Sequence, residues 1–413
     1  MQSILQRSMK EREMEVLRKL YQEGTFDFEM YADKITSEDQ FTSYEKFQTI
    51  GFSYKDDIRK TGPFERTPVA KEDVYGMFSS SGTTGAKTYY VFSKEDKIVH
   101  EEFVRRFYTE LGVKDSDLGA VCAPVDTGIM AHTMMWQFTT MGAGYVNCSI
   151  PSPENIAELV SGMPVTIVAT RPDILTSIAF VPELKQKAQA STVTKMLLGG
   201  YHMSNARRKL IEDSWNADAY NMFGMSEMFG PMAGECRCKD GQHYPDDYLM
   251  IEIIDPETMK PVKPGEMGIA VYTTLWKKGF PLLRYWTDDV MYLSETPCKC
   301  GSSMPRLYFQ GRLADCIRLS NADGKAAFVF PVMVENVVYP YGIYEYQIKK
   351  TGDSFAVTLE YEGDPSALEP MRAELVQLLQ TTPEHVSFDH LPLGGLEHSI
   401  AKGKVKYLFD DQK

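Results

Sequence analysis

Ten consecutive residues, Ser79-Ser80-Ser81-Gly82-Thr83-Thr84-Gly85-Ala86-Lys87-Thr88, bring together six hydroxyls, two glycines and one lysine. Backbone N–H groups left open by glycine, Ser/Thr hydroxyls and a lysine ammonium can together surround a polyphosphate. The spacing is not that of a Walker-type loop. Only two residues separate Gly82 from Gly85, and Tyr89-Tyr90-Val91-Phe92 reads as strand rather than helix. A second set of residues could hold a metal. Cys236 and Cys238 form one Cys-x-Cys pair with His243 close behind, and Cys298 and Cys300 form another followed by glycine. Two such clusters separated by a folded segment are a common way to assemble tetrahedral zinc.

The elements that must position these groups follow from apolar spacing. Val74–Phe78 and Tyr89–Phe92 predict two strands joined by the hydroxyl-rich loop. Ser93 is a suitable N-cap for a helix over 94–109, in which His100 reads as a surface or packing residue. Helices are also expected over 9–22 and 41–50. From residue 120 short apolar runs at 121–124, 144–148, 165–169 and 195–199 alternate with helical segments at 129–141, 154–163, 173–180 and 204–215. This alternation predicts α/β layers with substantial parallel sheet. After Arg312 the pattern becomes α+β: an antiparallel pair over 345–350 and 354–361, then an amphipathic helix over 366–380. The expected division is therefore a large domain over 1–311 and a small one over 312–413.

The chain has 413 residues, enough for two domains, with 43% hydrophobic and 24% charged residues, as in ordinary globular proteins. A net charge of −13 argues against nucleic acid or an anionic membrane as partner. The charged first fifteen residues do not read as a signal peptide, and no apolar run reaches membrane-spanning length. Seven cysteines, an odd and small number, fit a reducing cytoplasmic setting. Cys122, Cys148 and Cys316 are expected in the core or in walls.

Four segments in order resemble the motifs of the adenylate-forming superfamily of acyl- and aryl-CoA ligases. Ser80-Ser81-Gly82-Thr83-Thr84-Gly85 resembles its phosphate loop. Phe223-Gly224-Met225-Ser226-Glu227 resembles its aromatic-Gly-x-Ser/Thr-Glu motif. Arg284-Tyr285-Trp286-Thr287-Asp288-Asp289 resembles its ribose-binding aspartate motif, and Gly311-Arg312-Leu313-Ala314-Asp315 its interdomain hinge. The short chain, Glu235-Cys236 and the late Cys-x-Cys-Gly are most similar to the phenylacetate–CoA ligase branch. The resemblance spans roughly residues 40–411.

The resemblance implies ATP-dependent adenylation of an aryl or arylacetic acid, then thioester formation with CoA. The alternative is an enzyme that loads a carrier-protein thiol or stops at the adenylate. The loop and Lys87 would hold the β/γ phosphates, Glu227 would hold Mg2+, and Ser226 would donate to the α-phosphate. Phe223, with Gly224, Met225, Gly200 and Tyr201, would border adenine. Phe223 replaces the usual tyrosine and Tyr201 the usual glutamate. Asp289 would accept the ribose hydroxyls, with Arg312 reaching the ribose or phosphates. An Asp289–Arg284 ion pair is the competing use of that aspartate. Lys404 is the implied catalytic lysine, with Lys402 its near competitor. For the metal, the resemblance selects Cys236, His243, Cys298 and Cys300 as structural zinc ligands, leaving Cys238 a spare or a replacement for His243. Met130, His132 and Trp136 are expected to line a pocket for a flat or apolar acid. Eight residues, Ser320 to Ala327, are inserted before the Phe328–Pro331 segment, which bears on the CoA step. A homodimer is one expectation for assembly.

Overall fold

The computed structural model describes residues 2–80, 87–320, 326–396 and 407–411. They form two compact units, one of Met1–Ser149 with Tyr220–Tyr308, the other of Ile150–Ala219 with Phe309–Lys413. Both mix helix and sheet, as the apolar spacing predicts.

In the first unit, strands Val74–Ser79 and Tyr89–Ser93 pair antiparallel with Ser79 opposite Tyr89. Leu249–Ile254, Gly268–Thr274 and Tyr285–Leu293 form an antiparallel meander. Asp218–Met225 pairs antiparallel with Gly230–Glu235, which pairs in turn with Gln242–His243. Leu118–Val121 and Gly144–Asn147 are parallel, joined through the helix Ile129–Thr140. The helix Lys94–Glu110 starts where expected. Ser93 Oγ accepts from Asp96 N at 2.9 Å and Asp96 Oδ2 accepts from Ser93 N at 2.8 Å, a reciprocal capping box.

Two local expectations are corrected. The helix over 41–50 is instead a 3-10 turn, Glu38–Phe41, followed by the single turn Tyr44–Phe47. Ser43 between them caps the second turn by accepting from Lys46 N at 3.3 Å, an example of serine favouring a helix start over a helix interior. The strand expected over 121–124 ends at Val121. Pro124, which has no N–H, cannot continue a ladder.

In the second unit, parallel strands Ile167–Thr170 and Lys195–Gly199 alternate with helices Pro153–Gly162, Pro172–Ala179 and Asn205–Trp215. A four-stranded sheet runs in the order Val386–Leu391, Ser354–Glu360, Glu345–Thr351, Leu408–Asp410. Its core joins Ile348, Val357 and Leu359 to Val334 and Val338 of the helix Pro331–Val338 and to Met371 and Leu375 of Glu369–Leu378. Among the described residues no helix is long and apolar enough to cross a membrane.

His100 proves to be a packing residue. It is buried, its ring lies 4.8 Å from that of Phe229, and neither ring nitrogen has a hydrogen-bond partner. Burial, with Lys97 nearby, pulls its pKa to about 3. A folded-state pKa below the ordinary value means stability that is complete above about pH 6.5 and is lost as pH falls toward 3. His100→Leu is expected to gain on the parent in denaturant unfolding by about 1.4 kcal/mol per pH unit below pH 6.5. A gain that does not grow with acidity would contradict this origin.

Candidate functional site

The ends of the hydroxyl-rich loop are tied together, and both contact one threonine. Ser80 N donates to Thr88 O at 2.9 Å, and Thr88 N donates to Ser80 Oγ at 3.2 Å. Ser79 Oγ lies 2.8 Å from Thr127 Oγ1, and Lys87 Nζ donates to the same oxygen at 2.9 Å. Thr127 directly precedes Gly128, the N-cap of the helix Ile129–Thr140. Ser81, Gly82, Thr83, Thr84 and Gly85 lie outside the described residues, as do Lys402 and Lys404.

The second motif is shaped by two strands in unusually close approach. Register shifts between Phe223 and Gly224. A Cβ on Gly224 would sit 2.2 Å from the carbonyl oxygen of Gly230, so no larger residue fits. Beyond this point the chain makes the 3-10 turn Ser226–Met228 and enters Phe229 at φ 70°, a left-handed conformation that costs a non-glycine residue about 1–3 kcal/mol. Glu227 sits in this turn, 6% exposed. Its Oε1 accepts from Tyr90 Oη at 2.7 Å and from Tyr285 Oη at 3.4 Å, and Lys55 Nζ is 3.7 Å away. Burial and the Glu227 carboxylate push the Tyr90 phenol far above its ordinary range, so it remains a donor. The buried Lys277 ammonium donates to the Glu227 backbone carbonyl, and burial pulls its pKa to about 7. Glu227 thus offers a fixed oxygen donor of the kind a hard divalent cation accepts. Phe223 is buried, and Met225 and Ser226 are half-buried.

Asp289 is buried in the strand Tyr285–Leu293, its N–H donating to Thr287 Oγ1 at 3.1 Å. Arg284 is committed elsewhere. Its guanidinium forks onto Glu252 at 3.0 and 3.1 Å and donates to the carbonyls of Gln48 and Ile50. Its backbone, at φ 44°, is turned into the left-handed region. The competing Asp289–Arg284 pair is therefore replaced by a buried Glu252–Arg284 pair.

The expected pocket residues join an aromatic cluster. Trp136 lies 4.9 Å from Tyr75, 5.6 Å from Phe78 and 5.4 Å from Phe229, and His132 lies 5.2 Å from Phe78. The His132 ring is oriented by donation from Nε2 to the Asp126 carbonyl at 3.0 Å. Met130 is half-buried on the same helix. Phe229, which no motif singled out, links this cluster to the Glu227 turn.

In the second unit, Gly200 turns the chain at φ 77° and the Tyr201 ring lies 4.2 Å from that of His202, tilted by 33°. Both lie beside a buried network. Glu335 Oε1 is 2.5 Å from His202 Nε2 and accepts from Arg207 Nη2 at 2.6 Å, while Arg207 also donates to Tyr339 Oη and Thr176 Oγ1. Burial pushes the Glu335 carboxyl up, but Arg207 and His202 outweigh it and hold it at about 2. Arg312 is exposed and directly precedes the turn Leu313–Asp315. Gly311 before it adopts φ 153°, and a Cβ there would meet Phe330 at 2.8 Å.

The cysteine pairs converge as well. One donor atom from each of Cys236, His243, Cys298 and Cys300 lies within 4.8 Å of all the others. Cys236 Sγ to Cys298 Sγ is 3.7 Å, and Cys300 Sγ to His243 Nε2 is 3.4 Å. A tetrahedron with metal–sulfur bonds of about 2.3 Å has edges of about 3.8 Å. His243 Nδ1–H donates to the Met304 carbonyl at 2.8 Å, leaving Nε2 facing the sulfurs. Cys238 is not in this group. Instead its backbone N–H donates to Cys236 Sγ at 3.4 Å. Arg306 laces the two loops together, donating to Asp240 O at 2.6 Å and to Ser294 Oγ and Thr296 O at 2.9 and 2.8 Å.

The family described as AMP-binding enzyme matches residues 5–273. A phenylacetate-coenzyme A ligase from Thermus thermophilus is 28% identical over 384 residues, covering 89% of this chain and 81% of that protein. One from Pseudomonas putida is 25% identical over 351 residues, covering 82% and 76%. A crystal structure of 2-hydroxyisobutyryl-CoA ligase in the postadenylation state shares the fold, with TM-score 0.81, 17% identity and coverage of 97% and 89%. An anthranilate CoA ligase bound to anthranoyl-AMP matches at TM-score 0.60 and 15% identity, covering 81% and 66%.

The close approach at Gly224 has a direct test. Gly224→Ala is expected to lower stability by at least about 2 kcal/mol in denaturant unfolding, because the clash is with backbone rather than a movable side chain. An alanine variant as stable as the parent would show that the strands can separate without cost.

Proposed function

The chain belongs to the AMP-binding enzyme family, and on that premise we propose that it activates an aromatic carboxylic acid with ATP and transfers the acyl group to CoA. One observation carries this reading most directly. Tyr90, on the strand that returns from the hydroxyl-rich loop, donates to Glu227 at 2.7 Å. The strand that leaves the loop and the carboxylate that would hold Mg2+ are thus joined by a buried hydrogen bond.

In the first step the acid's carboxylate oxygen attacks the α-phosphorus of ATP. The bond to the bridging oxygen breaks, and pyrophosphate leaves. Ser80, Ser81, Gly82, Thr83, Thr84, Gly85 and Lys87 hold the departing end. Bound Mg2+ would neutralise charge on the phosphates. Ser226 donates to the α-phosphate, Asp289 accepts the ribose hydroxyls, and Phe223 with Gly224, Met225, Gly200 and Tyr201 borders adenine, with Arg312 near the ribose or phosphates. Lys404 bridges carboxylate and phosphate as charge builds between them. In the second step the CoA thiol, losing its proton, attacks the acyl carbonyl and AMP leaves. Residues 312–413 would move as a small domain between steps. The aromatic cluster around Trp136 and His132, with Met130, favours a flat acid over a short aliphatic one. The similarity to phenylacetate-coenzyme A ligases supports the same class.

Exchange of pyrophosphate into ATP over a panel of aromatic and aliphatic acids, followed by thioester assay with CoA, tests this. Exchange should depend on an aromatic acid, and CoA should be consumed. Exchange without CoA thioester would move the acceptor to a carrier-protein thiol. Lys404→Ala should cut exchange by about 100-fold or more while Lys402→Ala has little effect. The reverse result would reassign the lysine.

The second part of the reading is that Cys236, His243, Cys298 and Cys300 hold a structural zinc. Four filled positions leave none for a substrate or water. Elemental analysis should find about one zinc per chain. Cys298→Ser should lose it and melt at lower temperature, while Cys238→Ser keeps it. Purified, active protein without metal would end this assignment.

A further inference from the structure

Lys277 has no place in the chemistry above, yet it is among the most deeply buried charged groups of the first unit, 1% exposed. Burying an ammonium is costly unless it is paired, so its position calls for a reason. Its ammonium donates to the backbone carbonyl of Glu227 and lies over the faces of Phe92 and Phe280, 4.7 and 5.0 Å from the ring centroids. The segment that delivers it is fixed in turn. Asp96, at the start of the helix Lys94–Glu110, accepts from Lys278 N at 2.7 Å and Gly279 N at 2.8 Å. A Cβ on Gly279 would meet Asp96 Oδ2 and Val91 O, both at 2.5 Å, so the segment passes in close backbone contact. The carbonyl that Lys277 holds belongs to a 3-10 turn ending in a left-handed phenylalanine, a conformation that needs external support.

We propose that Lys277 is a positioning residue for the metal-binding carboxylate: by holding the Glu227 carbonyl it fixes the Ser226–Met228 turn and aims the Glu227 side chain at the divalent cation of the nucleotide. This rests on the assignment of Glu227 to that cation. Tyr90 steadies the carboxylate from its oxygen end, and Lys277 steadies the same residue from its backbone.

The test is direct cation binding. Mn2+ is titrated by electron paramagnetic resonance against full-length protein saturated with α,β-methylene-ATP, for the parent, Lys277→Met, Lys277→Gln and Glu227→Gln. Lys277→Met should weaken Mn2+ binding about tenfold, the usual scale for losing a group that orients a metal ligand. Lys277→Gln, which keeps an N–H donor, should recover part of the loss. The Mg2+ concentration for half-maximal pyrophosphate exchange should shift in parallel. Unchanged Mn2+ affinity in Lys277→Met, with only a lower melting temperature, would overturn the proposal, as would failure of both lysine variants to fold. Unchanged affinity in Glu227→Gln would instead remove the Glu227 assignment on which it rests.

Discussion

The approach of two strands at Gly224 and Gly230 is the constraint on which the site depends. With a Cβ at Gly224 the strands would have to part. Parted, they would not need the tight turn that follows, and Glu227 would not be presented beside Tyr90. The turn ends in a left-handed phenylalanine, so it is not a conformation the chain adopts for its own sake. It is imposed by the strand contact on one side and braced by side chains on the other. A backbone detail thereby decides where a carboxylate points.

Buried charge does similar positioning work at three other places. Arg284 forks onto Glu252 and gathers the carbonyls of Gln48 and Ile50. Arg207 joins Glu335 to Tyr339 and Thr176. Arg306 spans Asp240, Ser294 and Thr296. In each case one planar guanidinium satisfies acceptors from segments far apart in the chain, a role lysine's single point charge would fill poorly. The two fully buried pairs, Arg284–Glu252 and Arg207–Glu335, contribute little net stability over apolar packing, but removing one partner leaves a buried charge uncompensated, at a cost of about 3–5 kcal/mol. Their value here is geometric: they set which loops meet.

Much of this was legible in the chain, and the remainder was hidden for identifiable reasons. The α/β alternation, the capped helix after Ser93 and the strand pair flanking the loop follow from local spacing and local hydrogen bonds. Glu227, Asp289 and the clustered cysteines lie in short motifs that carry their chemistry in residue type. Tyr90 and Thr127 carry no motif; they matter because the fold brings them to Glu227 and to Lys87, 137 and 40 residues away. Arg284 lies close to Asp289 in the chain, yet a left-handed backbone sends its guanidinium to Glu252. The sequence left Cys238 either a spare or a replacement for His243, and only the folded turn shows its backbone N–H, rather than its sulfur, directed at Cys236 Sγ. The helix expected over 41–50 failed because apolar periodicity there is interrupted by a serine better suited to start a turn.

Arg306 donates to Asp240 on one loop and to Ser294 and Thr296 on the other, and His243 donates to Met304, so hydrogen bonds alone bring the donor atoms of Cys236, His243, Cys298 and Cys300 within 4.8 Å of one another. A change at this one arginine would therefore disturb two stretches of chain that are remote in sequence.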